Sequence, residues 1–160
     1  MTVKEIAQYI AGNGFEVLVS LSIANLVAQA IKIITVAVKR KSVKWTILFA
    51  TGGMPSSHSS TVTAMATSVG LIDGFSSTTF AIAVCAAVIV MFDAAGVRRN
   101  ASKHAKVLNN LVQELLSPDH FMSREKLKEF LGHTPLEVFA GAGLGVALAV
   151  ALNFYLVEML

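Results

Sequence analysis

Charged side chains are scarce in this chain. Asp, Glu, Lys and Arg make up 14% of its 160 residues, against about 25% in ordinary soluble domains. That leaves too little polar surface to face water on all sides, so a membrane protein is expected. Cysteine is nearly absent as well. The single Cys85, inside an apolar run, excludes an internal disulfide and a multi-cysteine metal site. The opening MTVKEIAQYI has neither the basic start nor the cleavage site of a signal peptide. With no internal repeat and no low-complexity linker, residues 1–160 are expected to form one domain.

Apolar residues fill the space that charge leaves. They make up 54% of the chain, and the mean hydropathy is +0.66. A spanning helix needs about 20 mainly apolar residues. Phe15 to Val38, Ser77 to Val97 and Leu136 to Leu160 meet that length. Within the first, Asn25, Gln29 and Lys32 recur at helical spacing, so they share a face expected to turn towards protein and away from lipid. A fourth segment, Ser59 to Ile72, is rich in Ser and Thr and covers only about 20 Å. It crosses the membrane only if its start is sunk below the surface, or if Trp45 to Ala50 forms the other part of a span broken or re-entrant at residues 51–58. The expected fold is all-α: about four transmembrane helices with short interfacial helices.

Charge sets the expected orientation. The stretches after the first and third spans hold 11 of the 13 basic residues: Lys39, Arg40, Lys41 and Lys44, then Arg98, Arg99, Lys103, Lys106, Arg124, Lys126 and Lys128. The positive-inside tendency places both in the cytoplasm and both termini outside. The basic balance is thus explained by topology and anionic headgroups, with no nucleic acid partner required. Ala101, Ala105, Leu108, Val112 and Leu115 form an apolar stripe opposite Lys103, Lys106 and Gln113, as expected of an amphipathic interfacial helix over 100–116. Ser123 starts a short helix that Gly132 ends.

That topology brings three polar clusters to one membrane face: GGMPSSH (52–58), Asp93 with Gly96, Arg98 and Arg99, and GHTPLE (132–137). His58 and His133 each fall at a helix start, where unpaired N–H groups and the helix dipole favour an anion. Gly53, Ser56 and Ser57 add donors or close backbone approach, and Lys32, Arg98 and Arg99 offer neutralising charge. A phosphate site beside lipid is the natural reading. Two histidines there permit one to attack phosphorus while the other protonates the leaving oxygen. Glu137, four residues after His133, is placed either to orient that imidazole or to close a capping box with Thr134 and Pro135. Asp93 either belongs to the phosphate-binding set or pairs with Arg98 or Lys32.

A family resemblance points the same way. PSSH at 55–58 resembles the PSGH motif of the type 2 phosphatidic acid phosphatase superfamily, which also includes acid phosphatases and vanadium-dependent haloperoxidases. GHTPLEVFAGAGLG at 132–145 resembles the end of its third motif, and Lys32 with Lys39 and Arg40 echoes its first motif, K-x6-R-P. With MFDAAGVRR, the chain is similar to the divergent, short branch of that superfamily. The resemblance implies a phosphohistidine on His133, Glu137 as its orienting acid, His58 as general acid, and Ser56, Ser57 and Lys32 as phosphate ligands. It also implies a mechanism needing neither metal nor organic cofactor. The sequence departs from the pattern at two points: the arginine six residues before the nucleophile is Leu127, and the first-motif proline is missing. Arg98 or Arg99 is the expected substitute.

The expected function is therefore an integral membrane phosphatase, in a bacterial cytoplasmic membrane, acting on a lipid phosphomonoester at the cytoplasmic surface. The competing expectation is a catalytically silent lipid-phosphate binder or transporter. Polar faces within so few spans further suggest a homodimer.

Overall fold

The computed structural model describes residues 2–40, 53–115 and 132–160, without the side chains of residues 39, 40, 98, 99, 102 and 113–115. The described residues are mainly helical, with no strand among them. In chain order they form α1 (Val3–Ile10), α2 (Gly14–Arg40), α3 (Ser57–Asp73), α4 (Thr78–Phe92), a π turn (Asp93–Val97), α5 (Arg98–Leu115) and α6 (Pro135–Met159).

Local chemistry explains most of these boundaries. Thr2 and Glu5 close a capping box on α1, and Thr134 with Glu137 closes one on α6, with Pro135 in the first helical turn. Ser56 and Ser77 cap α3 and α4, their hydroxyls accepting N–H bonds from Ser59 and Phe80. Gly74 ends α3 at φ 91°, a backbone region that suits glycine, and the chain turns there into α4.

α3 is the central helix, packed against α2, α4 and α6. That position accounts for its sequence. A helix walled by other helices meets little lipid, so it can carry Ser57, Ser59, Ser60 and Ser68 buried without the greasy exterior a lipid-facing helix needs. Three helices are long and apolar enough to cross a membrane: Gly14–Val38, Thr78–Val97 and Pro135–Met159. At 17 residues α3 is about 25 Å long, shorter than the hydrocarbon core of about 30 Å. It is one unbroken helix from Ser57 onward; the expected companion piece, Trp45 to Ala50, lies outside the described residues, as does the short helix expected from Ser123.

The bundle is polar or small inside and apolar outside. The largest fully buried side chains are Glu16, Ser20, Ser56, Ser59, Ser60 and Ser68, whereas Leu26, Ile34, Ile82, Ile89, Phe92, Phe139 and Phe154 are exposed. A water-soluble fold does the reverse; this distribution suits lipid, where polar groups must find partners within the protein.

Small residues bring the helices close. Ala24, Ala64 and Ala149 of α2, α3 and α6 meet at the centre. A Cβ at Gly141 would collide with the Ser56 carbonyl, and one at Gly145 with the Ser60 carbonyl and Thr63 Oγ1. Gly143, between them in sequence, faces open space. Polar ties cross the seams: Asn25 Nδ2 donates to Thr61 Oγ1 at 2.9 Å, Ser60 Oγ to the Ala24 carbonyl at 3.2 Å, and Thr63 Oγ1 to the Ala142 carbonyl at 3.0 Å. The polar face of α2 thus turns inward as its spacing implied.

α5 leaves the bundle through the π turn, on which it packs. Val107, Leu108, Leu111 and Val112 remain exposed along it, as expected of a helix lying at a membrane interface.

Candidate active site

The C-terminal part of α2, the N-termini of α3 and α6 and the π turn meet at one end of the bundle, and there the two histidines come together. The His58 and His133 ring centroids are 6.2 Å apart, with the rings inclined at 61°. The pair is separated by 74 positions of sequence (133 minus 58 is 75, less one), so only the packing of α3 against α6 produces it. One backbone bond fixes that alignment: Ser56 N–H donates to the Glu137 carbonyl at 3.0 Å.

His133 is held from three directions. It is 3% exposed, its N–H donates to the Ala94 carbonyl of the π turn at 2.9 Å, and its Nδ1 lies 3.3 Å from Glu137 Oε2. A carboxylate oxygen accepts only, so this contact assigns a proton to Nδ1. Glu137 Oε2 also accepts Thr134 N–H at 2.9 Å, while Thr134 Oγ1 accepts Glu137 N–H at 3.4 Å. Capping and orienting are therefore not alternatives for Glu137: one oxygen does both.

Lys32 is 3% exposed near Glu137, close enough for the two charges to attract. Its stem runs beside Gly53, where a Cβ would stand 3.5 Å from Lys32 Cγ. Gly53 adopts φ 94°, which favours glycine at this turn. Two N-terminal helix dipole ends and the Lys32 charge, set against the Glu137 carboxylate, are features that favour an anion at this end of the bundle.

The expected serines sit deeper than surface ligands would. Ser56 is 0% exposed; its hydroxyl is taken up as the α3 cap, accepting from Ser59 N–H at 3.3 Å and Ser59 Oγ at 3.1 Å. Ser57 Oγ receives Gln29 Nε2 at 3.5 Å and ties α3 to α2. Asp93 opens the π turn next to Ala94, and is thereby brought beside His133. Arg98 and Arg99 begin α5 directly after that turn, but their side chains lie outside the described residues.

The sequence marked Asp93 and Gly96 but neither the π turn that holds them nor the Ala94 carbonyl that the turn offers to His133. Such turns occur mostly at functional positions within helices. Gln29 was legible as inward-facing, but its partner Ser57 was not.

Comparison with known proteins agrees with this geometry. The chain matches the Divergent PAP2 family over residues 14–148. It is 40% identical over 151 residues to the uncharacterized membrane protein YuiD of Bacillus subtilis (strain 168), covering 88% of this chain and 95% of the relative. No solved structure matches it. An integral membrane helical bundle with its motif residues gathered at one end, the chain belongs to the Divergent PAP2 family.

Proposed function

We propose that the protein is a lipid-phosphate phosphatase working through a phosphohistidine. The observation that carries this is the His58–His133 pair, 6.2 Å apart, with Glu137 on the Nδ1 side of His133. Attack on phosphorus by one imidazole and protonation of the leaving oxygen by another need both rings at one site, which this pairing supplies.

In the first step His133 Nε2 forms the N–P bond, the P–O ester bond breaks, and His58 gives its proton to the leaving alkoxide. In the second, His58 takes a proton from water as it attacks phosphorus, the N–P bond breaks and inorganic phosphate leaves. Lys32, the helix N-termini and Arg98 or Arg99 stabilise the equatorial oxygens. Position in the bilayer restricts the substrate to lipids: phosphatidylglycerophosphate, phosphatidate, or a polyprenyl phosphate or diphosphate. With the basic segments in the cytoplasm of a bacterial cell the site faces that leaflet, which favours the first two.

A second reading draws on burial. With His133 and Lys32 each 3% exposed, the same pocket suits a protein that holds a lipid phosphate without cleaving it. Phosphate release from a lipid panel by the purified chain separates the two. The phosphatase requires release that is lost in His133→Ala and His58→Ala; release retained in His133→Ala would overturn the nucleophile assignment, and none from any lipid would favour the binder.

A further inference from the structure

At the opposite end of the bundle lies a buried carboxylate that this chemistry does not use. Glu16, in the first turn of α2, is 1% exposed. Its Oε2 accepts Gly12 N–H at 2.7 Å and its Oε1 accepts Asn153 Nδ2 at 2.8 Å, tying α2 to α6. Both donors are neutral, and no ion pair to Glu16 occurs among the described residues.

The neighbouring layer is polar too. α2 runs antiparallel to α3 and α6: Ala24 meets Ser60 while the later Gln29 meets the earlier Ser57, and Ala24 meets Ala149 while the earlier Glu16 meets the later Asn153. One helical turn from the central Ala24, Ala64 and Ala149 towards Glu16 therefore brings Ser20, Ser68 and Asn153 to a common level. Ser20 and Ser68 are each 1% exposed, and neither hydroxyl has a hydrogen-bond partner among the described residues.

We propose that this layer binds a monovalent cation, with the Glu16 carboxylate and the Ser20 and Ser68 hydroxyls as oxygen ligands. A buried hydroxyl without a partner and a buried carboxylate without a counter-charge are each costly. A water molecule would satisfy the hydroxyls and leave the charge; a cation answers both. One carboxylate matches one positive charge, whereas calcium recruits about 6–8 oxygens, commonly with several carboxylates. Glu16 stands in the first turn of α2, whose N-terminal dipole end offsets part of its charge, and the C-terminal ends of α3 and α6 lie on the same side of the bundle. The site is independent of the chemistry at His133.

Thermal unfolding of the purified full chain in lipid nanodiscs tests it, at fixed pH and ionic strength, with sodium or potassium chloride replacing choline chloride. Expected is a saturable rise of a few degrees in either alkali salt, lost in Ser20→Ala/Ser68→Ala and in Glu16→Gln. Equal melting in all three salts overturns the site, as does a rise that survives in the serine double variant. Should Glu16→Gln not fold, the serine variant, which removes only two hydroxyl oxygens, decides alone.

Discussion

Glu137 Oε2 stands 3.3 Å from His133 Nδ1 and 2.9 Å from the Thr134 backbone nitrogen, so one carboxylate oxygen caps α6 and fixes the imidazole before it. The helix start and the orientation of the proposed nucleophile are thereby a single structural feature. Separating them experimentally calls for substitutions that remove one role and spare the other.

Glu137→Gln does so. The amide oxygen still accepts from Thr134, but the charge facing Nδ1 is gone and the amide N–H₂ competes for the ring. Phosphate release is expected to fall about a hundredfold or more, with the melting temperature little changed. Glu137→Ala also loses half of the capping box and should destabilise by about 1 kcal/mol besides. Activity retained in Glu137→Gln, with activity and stability both lost in Glu137→Ala, would mean that Glu137 is a cap alone.

Lys32 is expected to hold the phosphate. A hydrogen bond to a charged group contributes about 1.5–3 kcal/mol, so Lys32→Met should weaken inhibition by inorganic phosphate or orthovanadate roughly tenfold to a hundredfold. Inhibition measured in both proteins at one pH reads this directly, and an unchanged constant would remove Lys32 from the pocket.

The glycines of α6 should differ sharply. At Gly141 an added methyl meets the Ser56 backbone, at the level where α3 and α6 align the histidines. Gly141→Ala is expected to destabilise by at least about 1–3 kcal/mol through overpacking and to lower activity as the alignment shifts. Gly143 faces open space, so Gly143→Ala should be neutral or stabilise by up to about 1 kcal/mol through helix propensity. Thermal unfolding of the two variants side by side is the check.

The α2–α3 seam can be tested at Asn25 and Thr61, joined at 2.9 Å. A double-mutant cycle with Asn25→Ala and Thr61→Ala should return a coupling of about 0.6 kcal/mol, the size typical of hydrogen bonds between membrane helices. Zero coupling would place the bond outside the native seam.

Orientation is read by chemical labelling. In a Cys85→Ala background, cysteines introduced as Lys41→Cys and Ser102→Cys should be shielded from an impermeant thiol reagent in intact cells and react once the cells are opened. Ready labelling from outside would reverse the topology inferred from the basic segments.

Much of this protein was legible in one dimension. Scarce charge and three long apolar runs determined a helical membrane protein, because about 20 apolar residues and the hydrocarbon thickness match by arithmetic alone. The helix start at Thr134 followed from cap chemistry, which needs only neighbours three residues apart. The inward face of α2 followed from the spacing of Asn25, Gln29 and Lys32. Motif resemblance named His58, His133 and Glu137 as candidates.

The rest required the third dimension. Hydropathy alone made Ser59 to Ile72 a doubtful span, since it cannot distinguish a poorly lipid-soluble helix from one wrapped by α2, α4 and α6. The serines in its first turn read as ligands; packing turned Ser56 into a buried cap, because a hydroxyl sealed from solvent bonds to the nearest orphan N–H. The Ala94 carbonyl that holds His133, the Ser56–Glu137 backbone bond and the layer of Glu16, Ser20, Ser68 and Asn153 leave no motif. Backbone groups are the same at every residue, and partners on different helices are set by how closely those helices approach. Sequence by itself determined the long helices and which side chains are candidates for the site; tertiary packing, through the close contacts that Gly141 and Gly145 permit, decided which of those side chains meet.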